Sequence, residues 1–337
     1  MPTIRSILPF ALAVAFLSVV GSSAADARID MGHRLTAGPT VRSVSSRKPK
    51  SRPSSRLANL WVDASGGNCV RHRSRVRYRD AQACASFAAA YARAGSGDKV
   101  GVTGRLGPQF FAGGYAATQP AGTKAVTFRG MPGNVIRQVH SGAPNITFTG
   151  LNLDAGGRQT QGAVFENGGG DHVVFRNGRI GNVVDEKAAV VDGSHVTLAN
   201  VVFHDAVLRT DGVHMECLYA IVVPNLTIRN SRFSNCAIMD VLFTYGDWWN
   251  PLPPPYGNVT LEGNHFETPR DTNSSCCMYY GLYVGNTASP APGVISGWRV
   301  RHNWFQSSVA GFDGRPVVGG VFCGNSGKSP GSWRKRC

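Results

Sequence analysis

The amino-acid sequence predicts an all-β fold, a parallel β-helix solenoid that starts with a capping helix. Three observations lead to this prediction: a short strand pattern that recurs along the chain, a Gly or Asn residue that closes most copies, and a second family of strands between the copies. Each copy alternates apolar and polar residues, as expected of a strand with one buried face. We expect the solenoid to occupy residues 58–337.

The recurring pattern is six residues long and contains one alternating strand. Its copies are Ala125–Gly130, Asn145–Gly150, His172–Asn177, His195–Asn200, Asn225–Asn230, Asn258–Gly263 and Gly297–His302. The second residues of successive copies are separated by 20, 27, 23, 30, 33 and 39 residues. Irregular periods of this size indicate a solenoid whose loops vary in length.

The residue that ends most copies is Gly or Asn, which tolerate the left-handed backbone conformation of a tight corner. Three positions later comes a large apolar residue, and we expect these residues to stack in a continuous core. The predicted corner residues are Gly150, Asn177, Asn200, Asn230 and Gly263, and the predicted core residues are Leu153, Ile180, Phe203, Phe233, Phe266 and Phe305.

A second strand family precedes most copies of the pattern. Its predicted members are Ala163–Glu166, Ala189–Asp192, Gly212–Glu216, Asp240–Thr244, Gly281–Val284 and Gly320–Cys323. Several strands in each turn favour a parallel β-helix over a propeller or a sandwich. The lack of helical segments between the strands excludes a leucine-rich repeat.

The start of the folded part has a sequence of its own. The segment Leu60–Cys69 is followed by Asp80, a predicted helix N-cap, by an Ala-rich helix ending near Gly95, and by a first strand at Gly97–Val102. This opening resembles that of right-handed parallel β-helix proteins of the pectate-lyase-like superfamily. The resemblance covers the chain from about residue 58. It implies a right-handed coil whose exterior binds or cleaves acidic polysaccharides, by β-elimination or by hydrolysis.

The first 57 residues have the composition of targeting and linker segments. Residues 1–27 are expected to be a secretory signal peptide, with Arg5 before an apolar run at Ile7–Val20 and small residues at Ala25 and Ala27. Residues 28–57, rich in Ser, Arg and Pro, are expected to be a disordered basic linker. We therefore expect a secreted, monomeric protein without stable membrane insertion.

Charge and cysteine content suit an exported protein. The net charge of +15 suits an anionic glycan or cell-wall polymer as the partner, and export argues against nucleic acid. The alternative is that the charge only keeps the protein soluble. The eight cysteines are an even number, so we expect disulfides. Cys69 with Cys84 and Cys217 with Cys236 are plausible pairs. The remaining candidates, Cys276, Cys277, Cys323 and Cys337, lack the paired spacing of a zinc site.

One stretch of the sequence concentrates acids and a base on neighbouring turns. If Val213 and Met215 point inward, His214 and Glu216 point outward on the same face, because side chains alternate along a strand. We therefore predict a catalytic group of His214, Glu216 and Asp240, with Lys187 as a further candidate base. The predicted substrate-binding residues beside it are Asp205, Arg209, Asp211 and Tyr283. The alternative is an ordinary solvated strand.

A proline-rich loop at Thr244–Tyr256 follows the acidic strand. Tyr245, Trp248 and Trp249 could stack on sugar rings at the edge of a cleft, or the loop could pack on itself over the core. Elsewhere, arginines recur in one outward column, which we interpret as a solvated face. This column contains Arg129, Arg176, Arg229 and Arg301, with Arg179 and Arg232 nearby.

These features predict a secreted carbohydrate-active protein that acts on an acidic or cell-wall polysaccharide as a lyase or a hydrolase. The alternative is a non-catalytic surface protein that binds glycan. The segment Arg209–Val213 faintly resembles a motif of polygalacturonase-like hydrolases, but their other signatures and those of pectate lyases are missing. The cofactor is therefore unknown. Calcium would be needed if the protein were a calcium-dependent lyase, and the sequence predicts no metal ligand.

Overall fold

The chain folds mainly into β-strands that form long parallel sheets. We describe it from a computed structural model, which covers residues 57–113, 122–210, 215–221, 223–244, 257–268, 280–284, 295–311, 317–329 and 337. All pairings between its named strands are parallel.

Ten strands form one sheet, which we call the ten-strand sheet. In spatial order it contains β1 (Leu60–Val62), β2 (Lys99–Val102), β4 (Val126–Gly130), β6 (Ile146–Thr149), β9 (Val174–Arg176), β12 (Thr197–Ala199), β15 (Thr227–Arg229), β18 (Thr260–Glu262), β22 (Arg299–Arg301) and β26 (Val321–Cys323). Each recurring sequence pattern contributes one strand to this sheet. Val321–Cys323 also belongs here, so its predicted place in the second strand family is wrong. Its pairing with β22 places it in the ten-strand sheet.

The second large sheet has two arms that meet at β5 (Val135–Ser141), with β3 (Arg105–Phe111) paired to β5. The first arm contains β7 (Asn152–Arg158), β10 (Arg179–Val184), β13 (Val202–Val207), β16 (Arg232–Cys236), β19 (His265–Phe266), β23 (Trp304–Phe305) and β27 (Ser326–Gly327). The second arm contains β8 (Phe165–Asn167), β11 (Ala189–Asp192), β14 (Glu216–Ile221), β17 (Met239–Thr244), β20 (Tyr280–Val284) and β24 (Ser308–Gly311). A small additional sheet pairs β21 (Ile295–Ser296) with β25 (Val317–Val318).

Successive strands visit the ten-strand sheet, the first arm and the second arm in turn. Strands β6, β7 and β8 make one such passage, and β9, β10 and β11 make the next. Each strand then pairs with its counterpart in the next passage. This connectivity is compatible with a parallel β-solenoid.

The predicted corners adopt the left-handed conformation. Gly150, Asn177, Asn200, Asn230 and Gly263 all have positive φ angles, between 50° and 68°. The asparagines also contact one another, since Asn200 Nδ2 donates to Asn177 Oδ1 at 3.0 Å. The sequence-based explanation of these corners is therefore confirmed.

The predicted core row is buried along its whole length. Leu153, Ile180 and the four phenylalanines have no exposed surface. Phe203, Phe233, Phe266 and Phe305 form a continuous stack, with ring centroids 4.6, 5.1 and 4.6 Å apart. Apolar burial of this extent is the main stabilising contribution to such a fold.

The only helix longer than one turn in the described residues is α1 (Phe87–Arg93), which packs on β1 and β3. Ser86 is its N-cap and accepts a hydrogen bond from the Ala89 amide at 3.1 Å. The predicted N-cap, Asp80, instead begins a separate 3-10 helix at Asp80–Gln82. The prediction was wrong because the chain turns between residues 83 and 86 before the α-helix begins. Phe87 then stacks on Phe128 in the core at 4.5 Å.

Disulfides join Cys69 to Cys84, Cys217 to Cys236 and Cys323 to Cys337. The first two pairs are those considered plausible from the sequence, whereas Cys276 and Cys277 lie outside the described residues. Such bonds are consistent with an extracellular protein. Within the described ranges, no helix is long and apolar enough to cross a membrane.

Candidate functional site

The outer surface of the second arm carries a row of side chains from consecutive strands. Strand pairing places His140, Glu166, Val190 and Tyr219 side by side in this row. The neighbours of Glu166 in its own strand are buried, so Glu166 points outward by alternation. Polar and aromatic groups from separate turns thereby come together.

His140 and Glu166 are in direct contact. His140 Nδ1 lies 3.5 Å from Glu166 Oε2, and His140 Nε2 lies 2.7 Å from the Ala163 carbonyl oxygen. The Ala163 carbonyl oxygen only accepts, and the Gln138 amide nitrogen, 2.9 Å from Nε2, has the Gln161 and Ala163 carbonyls as its acceptors. The proton is therefore assigned to Nε2, and Nδ1 faces the carboxyl group. Burial lowers the pKa of His140, which favours the neutral imidazole.

Glu166 has the opposite shift. Burial raises the pKa of the Glu166 carboxyl, and the nearby negative charges of Glu186 and Asp192 raise it further. Its side chain keeps 21% of its surface exposed. Glu166 is therefore a carboxyl that holds its proton to higher pH than usual and is still within reach of a ligand.

A cation and an aromatic ring lie beside Glu186, whose charge acts on Glu166. Lys187 Nζ is 3.6 Å from Glu186 Oε1 and 5.6 Å from the centre of the Tyr219 ring, a cation–π distance. Lys187 was predicted as a candidate base. We call His140, Glu166, Glu186, Lys187 and Tyr219 the second-arm cluster.

The second-arm cluster contains groups that general acid–base chemistry requires. A partly exposed carboxyl with a raised pKa can donate a proton to a leaving oxygen, and a second carboxylate lies close enough to affect its charge. The cation Lys187 can hold an anionic group of a ligand, while Tyr219 offers an apolar ring surface. Shifted pKa values that gather on one surface mark candidate functional sites.

Glu216 is not on this surface. It was predicted to point outward, but it is completely buried. The observed strand starts at Glu216 and runs to Ile221, with Leu218 paired to Ala189 and Val241, whereas the predicted strand ended at Glu216. The prediction failed because buried and exposed positions could alternate equally well in the predicted strand and in the observed one. Pairing with the neighbouring turns selects the observed strand.

Asp240 is also internal, and its predicted exposed position is wrong. It is 2% exposed, and strand pairing sets it beside Gly281. A Cβ added to Gly281 would lie 3.1 Å from Phe266 Cβ, so this row faces the phenylalanine stack. Neither carboxyl oxygen of Asp240 has a hydrogen-bond partner among the described residues. Burial, followed by the charge of Glu267, raises the pKa of Asp240 well above its usual value.

The buried Asp240 predicts a specific dependence of stability on pH. Since its folded pKa is raised above an unfolded value near 3.8, the unfolded chain releases the proton first as pH rises. The free energy of unfolding then falls, by about 1.4 kcal/mol per unit of pKa difference, until the folded pKa is passed. Asp240→Asn cannot ionise and should escape this loss.

Urea denaturation of the wild type and of Asp240→Asn over a pH series measures this effect. We expect the variant to gain stability relative to the wild type as pH rises above the unfolded pKa. At lower pH, where both chains are neutral at this position, the difference should be constant and serves as the control. A difference that does not change with pH would contradict the assignment.

Two of the predicted substrate-binding residues, Asp205 and Arg209, make contacts with different parts of the chain. Asp205 is on the first arm, where its carboxylate contacts His204 Nδ1 at 2.8 Å and Asn235 Nδ2 at 2.7 Å. Burial alone would raise the pKa of Asp205, but these hydrogen bonds outweigh it and the pKa is lowered. Arg209 is exposed, and its backbone N–H donates to Asp185 Oδ1 at 2.7 Å. Arg209 is thus attached to the loop that carries Lys187.

The remaining predicted site residues divide into two groups. Tyr283 is half-buried and lies in the outer row of the second arm, two strands beyond Tyr219. The candidate base His214 and the predicted binding residues Asp211, Tyr245, Trp248 and Trp249 lie outside the described residues.

The sequence did not predict a site role for His140, Glu166, Glu186 or Tyr219. Glu166 had a detectable signal, since it is the polar residue at an outward position of the predicted strand Ala163–Glu166. The others had none, because their proximity depends on which turns pair. No three His, Cys, Asp or Glu side chains in the described ranges converge as a metal site would require.

Comparisons with known proteins return no relative. No family model, no curated protein and no solved structure matches the chain. The function is therefore inferred from the residues of the second-arm cluster and from the outer surface of the sheets.

Proposed function

We propose that this chain is a secreted right-handed parallel β-helix protein of the pectate-lyase-like type, with α1 as its N-terminal cap, that acts on an acidic polysaccharide at the second-arm cluster. Three features support the proposal: the three-strand connectivity, the disulfides and the signal-like start of the sequence. The proposed activity depends on one observation: the Glu166 carboxyl is partly exposed and its pKa is raised.

In this proposal four members of the cluster have the following roles, and Lys187 has a different one if the reaction is an elimination. Glu166 donates a proton to the leaving oxygen of the glycosidic bond, and its raised pKa keeps that proton bound to higher pH than in an ordinary carboxyl. The neutral His140 imidazole orients that carboxyl from the buried side. Tyr219 stacks on a sugar ring, and Lys187 binds a uronate carboxylate.

Two reaction classes are compatible with these roles. In a hydrolysis, Glu186 is the second carboxyl that activates water or attacks the sugar. In a β-elimination, Lys187 removes the proton beside the uronate carboxylate while Glu166 protonates the leaving group. The two reactions give different products, since only the elimination leaves an unsaturated sugar.

The test is an assay of the secreted protein on polygalacturonate, polymannuronate and neutral dextran. Ultraviolet absorbance detects unsaturated products, and a reducing-end assay detects every cleavage. We expect cleavage of an acidic polymer and none of dextran. Absorbance together with reducing ends would identify a lyase, and reducing ends alone a hydrolase.

The second candidate function is glycan binding without catalysis. It is favoured by an open polar groove on the ten-strand sheet, away from the second-arm cluster. Binding of an acidic polymer with neither product type would establish this alternative and contradict the catalytic proposal.

A further inference from the structure

The outward face of the ten-strand sheet, which we call the ten-strand face, carries side chains in three parallel rows. The first row has left-handed backbone conformation and contains Asn145, His172, His195, Asn225, Asn258 and Gly297. The middle row contains Thr127, Thr147, Val174, Thr197, Thr227, Thr260 and Arg299. The third row contains Arg129, Thr149, Arg176, Ala199, Arg229, Glu262 and Arg301.

The first two rows line an open groove of about 580 Å³ that crosses several strands. Its walls are ordered by contacts between turns. The His172 and His195 rings stack with centroids 4.4 Å apart, and Asn258 Nδ2 donates to Asn225 Oδ1 at 3.0 Å. The groove is also lined by Thr197, Thr227, Thr260 and Arg299. The groove thus offers hydrogen-bonding groups at regular intervals along the stack.

The third row places an arginine on every second strand. Arg129, Arg176 and Arg229 are separated by Thr149 and Ala199, each on the intervening strand. Neighbouring strands lie about 4.8 Å apart, so the positive charges recur at roughly 9.6 Å. This spacing is fixed by the sheet and does not depend on loops.

These positive charges are largely uncompensated. In the described part of the row, the one ion pair joins Arg301 to Glu262 at 3.1 Å. Lys99, next to Thr127 in the middle row, has a lowered pKa because of the charge of Arg75 above all, and also because of burial, Arg129 and Arg176. One end of the ten-strand face therefore has a positive potential that attracts anions.

We propose that the ten-strand face binds a linear acidic polysaccharide that runs across the strands, with the anionic groups on one side of the polymer paired to Arg129, Arg176 and Arg229. The inference takes its ligand class from the proposed function, but it concerns a separate surface. Sugar hydroxyls would occupy the groove formed by the first two rows.

The spacing and chemistry of the face favour this ligand over nucleic acid. In an extended two-fold chain of uronic acids, successive sugars face opposite ways, so carboxylates on one side belong to every second sugar. The phosphates of nucleic acid are far more closely spaced. The His172 and His195 rings of the first row stack on each other at 4.4 Å, so the distinction from nucleic acid depends on the charge spacing.

The first test compares two triple variants of the full chain for binding to polymannuronate, measured by calorimetry at fixed ionic strength. Arg129→Gln, Arg176→Gln and Arg229→Gln together should weaken binding roughly tenfold or more. The matched control removes the same charge from exposed arginines elsewhere, through Arg93→Gln, Arg105→Gln and Arg158→Gln. Circular dichroism checks that both variants fold. Equal weakening in both triple variants would overturn the proposal.

The second test keeps composition and charge constant. Arg129→Thr combined with Thr149→Arg moves one arginine to the adjacent strand and breaks the two-strand spacing. Binding to polymannuronate should weaken severalfold, and unchanged affinity would overturn the spacing argument. Tighter binding of polyphosphate or duplex DNA than of polymannuronate, at the same salt, would overturn the ligand class.

The two proposals fail in different ways. If Glu166→Gln abolishes polymer binding while the arginine variants retain it, the ten-strand face is not the binding surface and the second-arm site stands. If the arginine variants lose binding and no polymer is cleaved by the wild type, the ten-strand face stands and catalysis is excluded.

Discussion

Replacing Glu166 by glutamine should lower turnover of the acidic polymer by roughly 10²–10⁴-fold, the usual contribution of a general acid. Glutamine keeps the size of the side chain and removes the proton that the leaving oxygen needs. In the wild type, activity should fall as pH rises through the raised pKa of Glu166. That decline should be missing from the residual activity of the variant. Initial rates measured over a pH series test both expectations.

The matched control is Glu267→Gln. Glu267 is a carboxylate of the first arm, and its Oε1 lies 2.7 Å from Arg232 Nε. This substitution makes the same Glu-to-Gln change at a position outside the second-arm cluster, so turnover should be retained. Full activity in Glu166→Gln would exclude Glu166 as the acid, and equal losses in both variants would point to a general charge effect.

Truncating Phe233 should cost about 3–5 kcal/mol of unfolding free energy, as found when buried phenylalanines become alanine. Phe233 has no exposed surface and lies between Phe203 and Phe266, with centroids 4.6 and 5.1 Å away. Phe233→Ala therefore leaves a cavity between two rings that cannot close it without moving two turns. Chemical denaturation gives the loss directly.

Arg232→Ala is the control on the same strand. The Arg232 side chain is 55% exposed and forms a surface ion pair with Glu267. Removing such a pair typically costs no more than about 1 kcal/mol. If both substitutions had equally small effects, the phenylalanine stack would not be the stabilising core.

The folding of the second arm explains why local patterns misplaced the predicted catalytic group. Val213 and Met215 alternate as well as Leu218 and Ala220, so either segment can form a strand with a buried face. Leu218 is selected because it pairs between Ala189 and Val241 in the stack. A shift of this kind changes which side chains meet the core, and Glu216 becomes buried.

The sequence alone determined the features that repeat in every turn. The corner at Asn177 and the core position at Phe233 were predictable because a left-handed corner requires Gly or Asn and a stacked core requires one apolar residue at a fixed distance after it. Both requirements act within a few residues of chain. The disulfide between Cys217 and Cys236 was plausible for a different reason, because the two cysteines lie on adjacent turns of the recurring pattern.

Only the tertiary structure decided which side chains meet across turns. Glu166 and Tyr219 come into one row through the pairing of β8, β11 and β14, and Lys187 lies over the Tyr219 ring. The burial of Asp240 follows from its place beside Gly281. The loops between turns vary in length, so position along the chain does not determine position in the stack. Register is set instead by hydrogen bonds and core packing between strands, which the alternation of a single strand does not contain.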